Sequence, residues 1–106
     1  MFFVVLRRTG PQWRHGVALE DQDGWDAHAA FMDRLVDDGR VVLGGPLADE
    51  HRVVFVMQAA SADDVLTTLR DDPWHGTHLE VDAVEAWTIR LADPALRDRG
   101  DATTPR

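Results

Sequence analysis

Residues 24–39 read GWDAHAAFMDRLVDDG, and this stretch predicts the first helix and the face that it buries. Its apolar side chains recur at the spacing of an amphipathic helix. They are Trp25, Ala29, Met32, Leu35 and Val36. Asp23 is the predicted N-cap, and Gly39 is the glycine expected just past the helix end. His28 lies on the same stripe, so the helix would turn an ionisable ring towards the core.

Working outward from this helix, the other segments predict four strands and a second helix. β-branched and aromatic runs place strands at residues 2–8, 40–47, 53–59 and 80–92, the last one bulged or bent near Ala83. The second helix begins after Ser61, with Asp64 in a capping-box position. It ends near Asp71 because the next residue precedes a proline.

This order of elements predicts an α+β fold of the ferredoxin-like βαββαβ type, in which an antiparallel sheet carries both helices on one face. We expect this domain to span residues 1–92. Residues 93–106 are rich in proline, aspartate and arginine, which predicts a flexible C-terminal tail.

Two of the predicted strands are apolar on both faces. Neither residues 2–6 (FFVVL) nor residues 53–57 (VVFVM) alternate apolar with polar side chains, as a sheet covered on one side should. Two helices cover one face only, so the other face needs a partner. We expect a second copy of the sheet there, giving a sheet-to-sheet homodimer. The alternative is that loops or the tail cover this face.

The composition argues against several classes of function. The formal net charge of −8 makes nucleic acid and anionic membranes poor partners. There is no cysteine, which excludes thiolate metal sites and cysteine nucleophiles. All 11 basic residues are arginine, so no lysine is present for Schiff-base chemistry. The apolar start MFFVVLRR is too short for a membrane span or a signal sequence, and we expect a cytoplasmic location.

Proton transfer would therefore depend on histidine, carboxylates or bound water, and His28 is the first candidate. In the predicted fold, the start of the first helix and the exit of the second share one edge of the sheet, which would bring Asp72 towards His28. Asp72 could then orient the imidazole and stabilise its charged form, so that the pair acts as a general acid or base. The alternatives are a buried neutral histidine bonded to a carbonyl and an ordinary Asp-Pro turn.

Other residues could line a small binding site beside this pair. Gly44, Gly45 and Pro46 end the second strand, and adjacent glycines allow a ligand oxygen to approach backbone N–H groups. Trp25 lies one helical turn before the histidine and Trp74 follows the Asp-Pro step, so both could wall a pocket. The alternatives are a tight turn for the glycines and core packing for the tryptophans.

The loop sequence HGTH contains two more histidines, His75 and His78. Together with His28 or a carboxylate they could bind zinc. Because the spacing specifies no third ligand, we favour two solvated loop histidines. We predict neither a metal nor another cofactor.

Taken together, these motifs resemble the YciI-like (YCII-related) family of the dimeric α+β barrel superfamily. The resemblance covers about residues 1–92 and rests on HAAFMDRLVDDG, RVVLGGPL and DDPW in this order. The family pattern has a helix histidine, a Gly-Gly-Pro after the second strand and an Asp-Pro-aromatic after the second helix. It implies a ferredoxin-like fold that dimerises through its sheets, with a His-Asp active site formed here by His28 and Asp72.

The resemblance also implies a class of reaction. At least one relative is implicated in the dehydrochlorination of a chlorinated hydroxyquinol without a cofactor. We therefore expect a cofactor-independent, lyase- or dehydrochlorinase-like enzyme that acts on a small aromatic or enol-like substrate. Many relatives have an arginine three residues before the helix histidine, where this chain has Trp25. This departure argues against an anionic-substrate site built on that arginine.

Other functions are open as alternatives. A non-catalytic module that binds a small ligand or regulates a partner would use the same cleft. A purely structural dimer would have no ligand-sized pocket at His28. A cofactor-free monooxygenase of aromatic substrates, a superfamily analogue, would consume oxygen in the presence of phenols.

Overall fold

The computed structural model of the protein describes residues 1–96, and four strands and two principal helices lie within that range. The strands are β1 (Phe2–Arg7), β2 (Val41–Pro46), β3 (Arg52–Met57) and β4 (Glu80–Ala86), and the helices are α1 (Trp25–Asp37) and α2 (Ala62–Leu69). A short 3-10 helix, Leu19–Asp21, precedes α1. The order of strands and helices is the predicted one.

The strands form one antiparallel sheet in the order β2-β3-β1-β4. The two central strands, β1 and β3, are rich in β-branched and aromatic residues, which pack well on a pleated surface. Val4 of β1 lies opposite Phe55 of β3 on one side and Val84 of β4 on the other. This topology confirms the predicted α+β, ferredoxin-like fold.

Both helices pack on the same face of the sheet. Val4 and Leu6 of β1 point to this face, as do Phe55 and Met57 of β3, and all four side chains are buried. They form one core cluster with residues from both helices and from the segment before β4. The helix members are Phe31, Leu35, Val65 and Leu69. Burial of this apolar surface supplies the main driving force for folding.

The opposite face of the sheet is apolar as well, as the sequence predicts. Phe3 and Val5 of β1 lie there beside Val54 and Val56 of β3, and all four are half-buried. Trp87 packs edge-on against Phe3 with ring centres 5.6 Å apart, and it remains 46 % exposed. This face therefore presents apolar side chains that neither α1 nor α2 covers.

The start of α1 differs from the prediction. The N-cap is Gly24 instead of Asp23, and its φ of 79° lies in the left-handed region that favours glycine. Trp74 explains the change: a Cβ at Gly24 would lie 3.2 Å from the indole Nε1. That indole N–H donates to the Asp23 carbonyl at 2.8 Å. The helix end agrees with the prediction, since Gly39 follows it with a φ of 76°.

The buried stripe of α1 is rotated relative to the predicted one. Its buried residues are His28, Phe31 and Leu35, whereas Val36, which the periodicity places in the core, is 39 % exposed. The ring of His28 stacks on Trp74 in the core. The histidine thus lies within the buried face of the helix.

The second helix and the last strand follow the prediction with shorter bounds. Ser61 caps α2 by accepting a hydrogen bond from the Asp64 N–H at 3.1 Å. β4 ends at Ala86 instead of residue 92, because Ala86 already faces the first residue of β1. The predicted bulge is present, since Asp82 is the extra residue where the register between β1 and β4 shifts.

The C-terminal region extends beyond what the structure describes. Residues 94–96 form a helical turn, and residues 97–106 of the predicted tail lie outside the described residues. The domain boundary at residue 92 therefore stays a prediction. Within residues 1–96, no helix has the length and apolar character needed to cross a membrane.

Candidate active site

His28 and Asp72 are in direct contact. His28 lies in the first turn of α1, and Asp72 lies in the turn that follows α2. Nδ1 of His28 is 2.8 Å from one carboxylate oxygen of Asp72 and 2.9 Å from the other. A carboxylate can only accept, so Nδ1 carries the hydrogen in this pair. When the imidazole is neutral, Nε2 then keeps the lone pair that a general base needs.

The turn after α2 fixes the Asp72 carboxylate. Its Oδ1 also accepts the backbone N–H of Trp74 at 2.9 Å, which is the bond of an Asx turn. The His75 N–H donates to the Asp72 carbonyl at 2.9 Å. On the other side of the pair, the His28 N–H donates to the Gly24 carbonyl at 3.0 Å and anchors the histidine in its helix. Local structure thus orients both side chains before they meet.

The indole of Trp74 is stacked between two imidazoles. His28 stacks on it with ring centres 4.2 Å apart and planes 7° from parallel. His78 also stacks on Trp74, at 4.6 Å and 15°. Two rings this close to one indole would contact each other if both lay on the same face of it. His28 and His78 make no such contact. The indole therefore separates His28 from His78.

Two further tryptophans surround this stack. Trp13 meets Trp74 edge-on and Trp25 meets it at a tilt, each with ring centres 5.9 Å apart. The ring of Trp25 lies 6.0 Å from that of His28. Trp74 is 1 % exposed, whereas Trp25 is only half-buried. Both predicted wall residues thus adjoin His28, Trp74 from inside the core and Trp25 from the surface.

Gly44, Gly45 and Pro46 belong to the edge strand β2, where they pair with residues 53–55 of β3. A Cβ at Gly44 would collide with the ring of Phe55, and a Cβ at Gly45 would meet nothing within 4 Å. Packing against β3 therefore explains Gly44 without a ligand. No hydrogen bond among residues 1–96 joins this segment to the His28–Asp72 pair, and its role in binding stays a prediction.

His78 differs from the interpretation of a solvated loop histidine. Only 3 % of it is exposed, and burial lowers the pKa of its imidazole. Nδ1 lies 3.0 Å from the Thr77 hydroxyl, while Nε2 is enclosed without a hydrogen-bond partner in the described part of the chain. His75 is exposed, as expected. In that same part of the chain, no three metal-binding side chains cluster together.

The backbone around Trp74 explains why His78 is buried. The N–H groups of Thr77, His78 and Leu79 all point to the Trp74 carbonyl, at 3.2, 3.1 and 3.0 Å. Gly76 supplies the reversal with a φ of 75°, and the chain returns beneath the indole. The sequence pattern that could have predicted this reversal is a glycine two residues after a tryptophan, followed by the apolar Leu79.

Access to the pair is limited. The His28 side chain is 10 % exposed, and Nε2 is not among the enclosed polar atoms without a partner. A shallow depression of about 450 Å³ lies at the start of α1, lined by Glu20 and residues 22–27. Trp25 lines this depression, and its ring centre lies 6.0 Å from that of His28, but neither His28 nor Asp72 lines it.

Comparison with known protein families gives a match to the YCII-related domain over residues 1–88. The chain belongs to the YCII-related family. The matched range contains all four strands, both helices, His28 and Asp72, and it ends just after β4. Searches of curated proteins and of solved structures gave no match.

Proposed function

We propose that this YCII-related protein is a cofactor-independent acid–base enzyme of the lyase or dehydrochlorinase type. The observation that carries the proposal is the contact of His28 Nδ1 with both oxygens of Asp72, at 2.8 and 2.9 Å. This contact leaves Nε2 as the proton-transfer atom. Asp72 is the positioning residue, since it holds the tautomer and would stabilise the imidazolium formed during the reaction.

A small aromatic or enol-like substrate suits this arrangement. Trp25 offers an aromatic surface beside the depression at the start of α1, and stacking would place a flat ring near His28. In a dehydrochlorination, the reacting species would be the keto tautomer of the substrate, in which one hydroxyl proton has moved to the chlorine-bearing carbon. Nε2 would then take a second hydroxyl proton while chloride leaves with the electrons of the C–Cl bond. The net change is the loss of one proton and one chloride ion, which needs neither an oxidant nor a reductant.

Chloride release from chlorinated hydroxyquinols, measured without oxygen, tests the proposal. We expect the wild-type protein to accelerate it, and His28→Gln to lower the rate by about 10²–10⁴-fold, the usual contribution of a positioned acid or base. His51→Gln, at an exposed histidine, is the matched control and should keep the wild-type rate. A folded His28→Gln protein with an unchanged rate would remove the histidine from the mechanism.

We further propose that the protein acts as a sheet-to-sheet homodimer. The apolar outer face of β1 and β3 supports this, because a second copy would bury Phe3, Val5, Val54 and Val56. Sedimentation equilibrium should give twice the 11.9 kDa mass of the chain. A monomer at micromolar concentration would contradict the proposed assembly.

A second candidate is a non-catalytic module that binds a small ligand or regulates a partner. The burial of His28 favours it, because a ring that is only 10 % exposed can serve as a structural hydrogen-bonding group. This function predicts ligand binding without turnover, equally strong in the wild type and in His28→Gln. The chloride-release measurement separates the two candidates.

A further inference from the structure

A buried arginine lies at the margin of the tryptophan cluster. Arg8, directly after β1, is only 8 % exposed. Its guanidinium carbon sits 4.9 Å from the ring centre of Trp13, and Trp13 in turn contacts Trp74. Arg8 therefore belongs to the same end of the fold as the His28–Asp72 pair, although its own sequence context, LRRTG, carries no recognisable motif.

Arg8 has no acidic partner among residues 1–96, in contrast to more exposed arginines. Four arginine side chains that are 36–50 % exposed each pair with an aspartate. They are Arg7, Arg14, Arg40 and Arg52. The chain has 19 acidic residues against 11 basic ones, so carboxylates are plentiful. A buried charge normally requires a partner more than an exposed one does, so the missing carboxylate needs an explanation.

The unpartnered atoms of Arg8 lie on one edge of the guanidinium. Nη1 donates to the Glu50 carbonyl at 2.7 Å. Nε is enclosed without a partner, and Nη2 makes no hydrogen bond within the described residues but is not enclosed. Nε and Nη2 lie on the same edge of the guanidinium, the edge that faces a carboxylate in side-on pairs. Because Nε is enclosed, Nη2 is the N–H group of this edge that an anion can reach.

The surroundings hold the guanidinium in place. The Arg8 N–H donates to the His51 carbonyl at 2.9 Å, which ties the arginine to the turn between β2 and β3. Glu50, whose carbonyl fixes Nη1, has a φ of 60°, an uncommon conformation for a residue other than glycine. Trp13 covers one face of the guanidinium as a cation–π partner. The guanidinium is thus oriented before any ligand arrives.

We propose that Arg8 binds the oxyanion of a small aromatic carboxylate or phenolate, with Trp13 beside the ring of the ligand. The binding itself is independent of the proposed reaction. The further step, that this anion is the substrate of His28, rests on the proposed function.

Binding of sodium benzoate, with benzamide as its neutral analogue, tests the site directly. We expect saturable binding of benzoate, followed by tryptophan fluorescence and by the Arg8 Nε–H resonance. Benzamide should bind at least about tenfold more weakly, because it lacks the negative charge that pairs with the guanidinium. Arg8→Met, which keeps the length of the side chain and removes the charge, should abolish benzoate binding. Arg40→Met, at an arginine already paired with Asp64, should leave it unchanged.

Two further variants keep the test decisive. Arg8→Lys retains the charge but loses the planar guanidinium, and it should weaken benzoate binding while preserving the fold. His28→Gln should still bind benzoate, so the anion site can stand even if the proposed reaction fails. Any one of three results would overturn the inference. They are equal binding of benzamide, no movement of the Arg8 Nε–H resonance, and full benzoate binding by folded Arg8→Met.

Discussion

The two histidines stacked on Trp74 have the same side chain but different hydrogen-bonding surroundings. His28 meets a carboxylate at 2.8 Å, and its Nε2 is not enclosed. His78 is buried on the other side of the indole, with an enclosed Nε2 that has no partner. Burial is the main cause that lowers the pKa of His78, whereas the buried ring of His28 is paired with a carboxylate. Of the two histidines that stack on this indole, only His28 is therefore equipped for proton transfer.

This difference shows what the aromatic cluster contributes. Trp74 holds both imidazoles parallel to its own plane, so stacking by itself does not distinguish them. The distinction comes from the Asp-Pro-Trp turn, which points Asp72 at His28 while its backbone fixes the indole. A substitution at Trp74 therefore tests the stacking that the two histidines share. Substitutions at Asp72 and at His78 test what distinguishes them.

Trp74→Ala should have the largest effect, because it removes the ring that both histidines contact. A large-to-small change at a fully buried aromatic residue costs about 3–5 kcal/mol of unfolding free energy. Urea unfolding followed by circular dichroism measures the loss. Trp74→Phe retains a stackable ring and should cost clearly less. Equal losses for the two variants would mean that stacking does not matter here.

Asp72→Ala should come second, because it removes the hydrogen-bond partner of only one of the two histidines. Two buried donors lose their acceptor, Nδ1 of His28 and the backbone N–H of Trp74. Leaving a buried donor unsatisfied costs about 1–3 kcal/mol each. Asp71→Ala, at the exposed neighbour, is the control and should unfold at the wild-type urea concentration. A midpoint for Asp72→Ala equal to that of the control would contradict the assigned contact.

His78→Phe should have the smallest effect on stability at neutral pH, and a diagnostic effect in acid. It keeps the stack on Trp74 and removes an unsatisfied nitrogen, so stability should stay level or rise. In the wild type, the pKa of His78 is lowered from its ordinary value of 6.5. The unfolded chain therefore binds more protons below pH 6.5, and stability falls as the pH falls.

The pH profile of unfolding checks this assignment. His78→Phe should lose stability less steeply than the wild type between pH 6.5 and the folded-state pKa of His78. His75→Phe, at an exposed histidine, should keep the wild-type slope. Asp23, His28, Arg14 and Asp72 also act on the charge of His78, but all four are present in both proteins. An unchanged slope in His78→Phe would show that burial does not govern this imidazole.

Much of the fold follows from local patterns in the sequence. Strand runs, the Ser61 cap and the Gly39 stop are encoded within a few residues, and the structure has each of them. The start of α1 could not be predicted in this way. Its N-cap depends on the Trp74 indole reaching the Asp23 carbonyl, a contact between residues far apart in the chain. The Val36 error has the same origin, because tertiary packing sets the rotation of α1.

The candidate site was only partly predictable for the same reason. His28 and Asp72 lie at the ends of helices whose relative position follows from the topology, so their meeting could be inferred. The burial of His78 depends on the chain folding back beneath Trp74. The lack of an acidic partner for Arg8 becomes visible only when the positions of all described carboxylates are known. Spacing in the sequence carries neither fact.

The tautomer of His28 tests the central claim most directly. Long-range ¹H–¹⁵N correlation spectra of the neutral imidazole distinguish a protonated Nδ1 from a protonated Nε2. We predict hydrogen on Nδ1 and a bare Nε2 in the wild type, with this preference weakened in Asp72→Asn, whose amide can also donate to the ring. A wild-type His28 with hydrogen on Nε2 would contradict the account, because Asp72 would then not be holding the ring for proton transfer.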